Sequence, residues 1–250
     1  MTIDINRAGS FLAEHGRLLD RRRFALLGSG TSQADREAVF AAVEAHRNAD
    51  GGYGWGLEPD LRAPESQPAA ALHALEALAD CGPATTPATC RLFDWLDSVT
   101  LRDGGLPFAL PIADPAGCAP FWSDADPSES SLQITAAVAA QAHRVARFDE
   151  AAKNHPWLER ATRYCFDAIA AIDRPPFAYV LSFALQVLDS SAHSHPRALE
   201  LMGRLGQFVP RDGAIPVDGG TEGETLHLLN FRPHARSSGS RPRRRRSRER

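Results

Sequence analysis

Nowhere in the 250 residues do eighteen apolar side chains follow one another, so no segment predicts a membrane-spanning helix. The opening Met1-Thr2-Ile3-Asp4-Ile5-Asn6-Arg7-Ala8 lacks the basic stretch and apolar core of a secretory signal. A cytoplasmic protein is the resulting expectation. Cysteine is scarce: Cys81, Cys90, Cys118 and Cys165 stand 9, 28 and 47 residues apart with no C-x-x-C pair. That spacing argues against a zinc knuckle or a disulfide framework and predicts reduced thiols packed as small hydrophobes. There is no G-x-S-x-G elbow and no Walker sequence. Gly52-Tyr53-Gly54-Trp55-Gly56 follows a helical pattern rather than a strand, which removes the context a dinucleotide loop needs. Strand signals are few throughout, and the fold expectation is all-α.

What is present is a chain long enough to bury a sizeable core, with 43% hydrophobic residues. Its charge is uneven. Residues 232–250 hold nine arginines and one glutamate, a tail of +8 that leaves the rest of the chain at −11. This arginine-rich tail cannot bury a core and is expected to be disordered, giving one helical domain over 1–231 and a tail over 232–250. Three readings of the tail stand open: an arm for nucleic acid or a membrane surface, a solvated terminus, or an out-of-frame extension that replaces final helices.

An aspartate-glycine turn organises the body. It occurs at Asp50-Gly51-Gly52, Asp103-Gly104-Gly105 and Asp212-Gly213, at intervals of 53 and 109. The larger gap is close to two periods, so Ile172-Asp173-Arg174-Pro175-Pro176 reads as a degenerate copy displaced by a loop insertion over 110–127. Repeats of this size are usually one supersecondary unit each. Segments leading into the turns carry one-sided apolar stripes, as in 34–47, 88–99, 157–172 and 197–208. Segments following them, 68–79, 132–142 and 177–188, have almost no charge on any face and must be covered on most sides. One-sided helices wrapped around uncharged ones make two concentric layers, and a further inner helix is expected to begin at 225–231.

The stretch His46-Arg47-Asn48-Ala49-Asp50-Gly51-Gly52-Tyr53-Gly54-Trp55-Gly56 resembles the repeat turn of the terpenoid cyclase and prenyltransferase family of α/α toroids, the squalene-hopene cyclase type. Leu101-Arg102-Asp103-Gly104-Gly105-Leu106-Pro107-Phe108 is a second, weaker copy. The resemblance implies a helical-repeat toroid with an apolar, isoprenoid-type small molecule as the ligand of a central cavity. The eight or nine helices read from the sequence make an incomplete ring. It also implies acids at the amino ends of inner helices, where class II cyclases place a D-x-D-D general acid. The matching segments are Glu58-Pro59-Asp60 with Glu65, then Asp124-Ala125-Asp126 with Glu129, and Glu222-Gly223-Glu224.

None of these is D-x-D-D, no D-D-x-x-D run exists to hold magnesium and diphosphate, and Asp80-Cys81 lacks the D-x-C spacing of a prenyltransferase zinc site. No metal or cofactor is therefore expected. Asp124, Asp126 and Glu129 are the candidate catalytic acids; Trp55, Glu58, Asp60, Trp122 and His227 are the candidate ligand-binding residues. The competing roles are helix capping for the acids and core packing for the aromatics and the histidine. A different class of function stays open beside the enzyme-like one: a non-catalytic helical-repeat scaffold that binds a protein or peptide. An open cavity lined by charge favours the scaffold, and a closed aromatic funnel favours the cyclase-like ligand.

Overall fold

The computed structural model describes residues 4–28 and 30–227. Helix accounts for 52% of the chain and strand for 4%, which makes the protein predominantly helical. The first two helices, α1 (Ile5–His15) and α2 (Leu18–Ala25), form a hairpin in which Leu19 alone is buried. Helix α3 (Gln33–Glu44) follows, opened by a reciprocal Ser32/Asp35 capping box.

Three segments with little charge become the most deeply covered helices. They are α4 (Pro68–Asp80), which starts with proline at its first turn, α7 (Leu132–Val145), capped by Ser131, and α10 (Ala178–Ser191). Helix α7 lies between the other two and packs on both. Around them stand α3 against α4, α5 (Ala88–Val99) against α4, and α9 (Pro156–Ala170) against α5, α7 and α10, with α11 (Arg197–Gly206) against α9 and α10. Trp157, Phe93, Leu75, Leu92, Leu96 and Leu188 are among the side chains wholly removed from water where these helices meet. The one-turn helices α6 (Pro120–Ser123) and α8 (Glu150–Lys153) sit in the connections.

The aspartate-glycine turns share one set of bonds. Asp50 Oδ1 accepts from Gly52 N at 3.0 Å, Asp103 Oδ1 from Gly105 N at 3.0 Å, and Asp212 Oδ1 from Ala214 N at 3.1 Å. In each, the central glycine donates to the carbonyl three residues back, at Asn48, Leu101 and Pro210. These glycines have φ of 95°, 95° and 70°, a backbone region that side chains disfavour. The first two turns are also tied to the residues just ahead of α4 and α7, through Ser66 Oγ to Asp50 at 2.8 Å and Ser130 Oγ to Asp103 at 2.6 Å. Aspartate and serine are 16 positions apart in the first pair and 27 in the second, so the second connection is eleven residues longer. The segment Ile172–Pro176 joins α9 to α10, where the degenerate copy was expected, and contains no glycine.

One expectation fails. Thr225–Leu226 does not open a helix; it is strand β2, paired antiparallel with β1 (Ile215–Pro216). Gly219 and Gly223, at φ 75° and 77°, turn the chain back on itself. Tyr179 then donates to Glu224 Oε1 at 2.7 Å, fastening the hairpin to the start of α10. Residues 228–231 and the arginine-rich tail over 232–250 lie outside the described residues. Among the described residues, no helix is long and apolar enough to cross a membrane.

Candidate functional site

The longer second connection builds a groove at the amino end of α7. Pro107 bridges to Ser130, and Ser131 N donates to Leu106 O at 2.8 Å, which pins both ends of the connection. Gln67 clamps its middle, with Nε2 donating to Leu110 O and Oε1 accepting from Leu110 N at 3.1 and 2.8 Å. Leu61 bridges to Cys118, and Ala119 N donates to Asp60 O at 2.7 Å. With these anchors set, α6 holds Phe121 and Trp122 beside Phe108. Trp122 stacks on Phe108 at 4.7 Å between ring centroids, and Phe121 stands 6.4 Å from Phe108.

The groove is a shallow depression of about 510 Å³, broadly open to solvent, lined by Phe108, Phe121, Asp124, Ala125, Asp126, Glu129, Ser130 and Ser131. All three candidate acids therefore share one wall. All three are exposed. None caps α7, whose cap is Ser131, its hydroxyl oxygen accepting from Ile134 N at 3.4 Å. Asp126 instead accepts from the Ser128 hydroxyl at 2.6 Å and the Ser128 amide at 2.8 Å. Those two bonds, the hydroxyl first, hold its carboxyl below the usual aspartate range. This residue is thus a fixed anion at neutral pH, the opposite of what proton donation to an alkene asks of an acid.

The proposed binding residues divide. Trp122 is buried behind the groove, its Nε1 donating to Asp60 Oδ1 at 3.0 Å, so this pair braces the aromatic wall. Trp55 belongs to the first turn. Its indole is exposed, its φ is 54°, and its Nε1 donates to Asn48 Oδ1 at 2.7 Å. His227 is exposed directly after β2.

Glu58 belongs to a separate ionic cluster. His73 on α4 contacts Glu58 Oε2 through Nε2 at 2.8 Å and Glu76 Oε2 through Nδ1 at 3.1 Å. Arg23 of α2 reaches Glu76 and Asp80, and Arg144 of α7 reaches the other oxygen of Asp80. Burial by itself would lower the His73 pKa, but its two carboxylate partners outweigh that and raise it to about 9. Three cations therefore balance three anions. Sequence reasoning missed this cluster, although His73, Glu76 and Asp80 recur at i, i+3 and i+7 on an otherwise uncharged helix, a visible sign of one polar stripe. Phe108 and Ser130 were also missed as groove residues, because only the folded connection brings them beside α6.

Among the described residues, no group of three or more His, Cys, Asp or Glu side chains is arranged to hold a metal ion. No family model, curated protein or solved structure matches the chain.

Proposed function

We propose that the chain is a non-catalytic helical scaffold, an incomplete α/α toroid of degenerate repeats, whose acidic aromatic groove takes up a basic, apolar segment of a protein partner. Three mostly apolar helices side by side, backed by one-sided ones and joined through turns with the same bonds, support the toroid reading. The observation that carries the function is the groove itself: open to water, with exposed Asp124, Asp126 and Glu129 facing Phe108 and Phe121. Exposed carboxylates beside aromatic rings suit a cation on an apolar stem, because the ring faces and the anions attract the same charge. An isoprenoid asks for the reverse, a closed apolar funnel and, for cyclisation, an acid held neutral.

The test is a titration with a fluorescent peptide of alternating arginine and leucine, beside its glutamate-leucine counterpart and farnesol. The basic peptide should bind, and the variant Asp124→Asn/Asp126→Asn/Glu129→Gln should bind it at least about tenfold more weakly, the loss of roughly 1.4 kcal/mol. Equal binding by the variant, or saturable binding of farnesol in preference to the peptide, would refute the reading.

A further inference from the structure

The most strongly charged segment of the chain lies beyond the described fold. Residues 228–250 carry nine arginines and one glutamate, a net +8, and six of those arginines fall within 241–248. The groove wall is its counterpart in charge. Asp124, Asp126 and Glu129 are exposed. Among the described residues none of the three forms an ion pair, whereas Arg17, Arg23, Arg47, Arg144, Arg160 and Arg197 are each engaged by other carboxylates.

Where the described chain stops decides whether the two can meet. His143, in the last turn of α7, lies 5.7 Å between ring centroids from His195, which stands four residues beyond α10. Because α10 also packs along α7, the two helices run parallel and start at the same end of the molecule, their axes about 8–10 Å apart. The groove is at the start of α7, and Tyr179 fastens the 215–226 hairpin to the start of α10. The chain therefore continues past His227 from the end of the molecule that holds the groove. From His227 to Arg241 is fourteen positions, up to about 46 Å when extended at about 3.3 Å each. That reach is several times the separation of the two helices.

Resting on the scaffold reading above, we propose that the groove's first occupant is this chain's own segment: Arg241–Arg248 lies across Phe108 and Phe121 of the same molecule, its guanidinium groups against Asp124, Asp126 and Glu129, and a partner must displace it. A shallow, open depression suits that occupant, since arginines stack on ring faces and pair with carboxylates without a deep pocket. The tether holds the segment at a roughly millimolar local concentration, so a contact that is weak between separate molecules stays closed within one.

Carbodiimide coupling of the full chain tests the contact. Lys153 is the single lysine, so Arg244→Lys gives the segment a side-chain amine of its own while preserving its charge. Peptide mapping should find that amine joined to Asp124, Asp126 or Glu129 of the same molecule in preference to the other exposed acids. Salt at about 1 M, or an excess of the arginine-leucine peptide, should remove the product. Titration of that peptide is the second measurement, on Arg241→Gln/Arg243→Gln/Arg244→Gln/Arg245→Gln/Arg246→Gln/Arg248→Gln, with circular dichroism to verify folding. Neutralising the six arginines should tighten peptide binding at least about tenfold where the groove is intact, and leave it unchanged in the Asp124→Asn/Asp126→Asn/Glu129→Gln background. The comparison of backgrounds cancels the effect of overall charge. Products spread over other acids, or formed only between molecules, overturn the inference, as does an equal gain in both backgrounds. If the six-arginine variant still selects basic over acidic peptide in that event, the scaffold reading stands. If it selects neither, both readings fall.

Discussion

His143 makes the protein acid-labile in a way that one substitution can isolate. It lies on α7, buried, with Nε2 2.8 Å from Thr162 Oγ1. The Thr162 hydroxyl already donates to Leu158 O at 2.6 Å, so its oxygen accepts and His143 carries its proton on Nε2. Burial first, and then the neighbouring His195, His193 and Arg147, push its pKa down to about 3. In the unfolded chain the same ring titrates near 6.5. Because the folded value is the lower one, acid favours the unfolded state: stability is unaffected well above pH 6.5 and falls as pH drops below it. At pH 5 the loss is roughly 1.5 pKa units, or about 2 kcal/mol. Urea unfolding of the wild type and His143→Gln at pH 7 and pH 5 measures it. The substitution lowers stability at pH 7, and the acid-induced drop should then be about 2 kcal/mol smaller in the variant than in the wild type. Parallel losses would refute the argument, as would a His143 ring proton that titrates near pH 6 by NMR.

The ionic cluster at His73 gives the opposite sign. Its folded pKa, about 9, exceeds the unfolded value, so its contribution is complete below about pH 6.5 and disappears as pH rises through 9; thermal melts from pH 7 to 10 should decline more steeply in the wild type than in His73→Gln. Gly51→Ala should destabilise by about 2 kcal/mol or more, since φ is 95° and the added carbon meets Arg91 O at 2.8 Å. Gly203→Ala, at an exposed position of helix α11 with open space around it, should instead stabilise by about 0.5–1 kcal/mol; chemical denaturation of the two variants checks both signs. Asp60→Ala should loosen Trp122 and redshift its fluorescence without changing far-ultraviolet circular dichroism.

Hydrophobic periodicity carried most of the helical architecture, because burial on one face or on all faces leaves a direct trace in residue order. The segments 68–79, 132–142 and 177–188, which have almost no charge, do fall in the most deeply covered helices, and the one-sided segments form helices that pack on them or on one another. The hairpin at 215–226 was not legible: Thr225–Leu226 is too short for periodicity to distinguish strand from helix, and Tyr179, a remote residue, fastens it. The site was legible in part. Asp124, Asp126 and Glu129 were picked out by their place ahead of an inner helix, and they line one groove. Their environment was not, because exposure and the Ser128 bonds depend on how the connection folds. Glu58 was grouped with them by sequence order alone, while its real partner, His73, lies 15 residues on and across a helix face.

The eleven extra residues between Asp103 and Ser130 build the groove outside the long core helices. The two ends of that excursion are joined by the Ser130–Asp103 bond, the counterpart of the Ser66–Asp50 bond that closes the shorter connection. The helices consequently do not register its length. Grafting a trimmed connection there should erase the groove and leave the core standing.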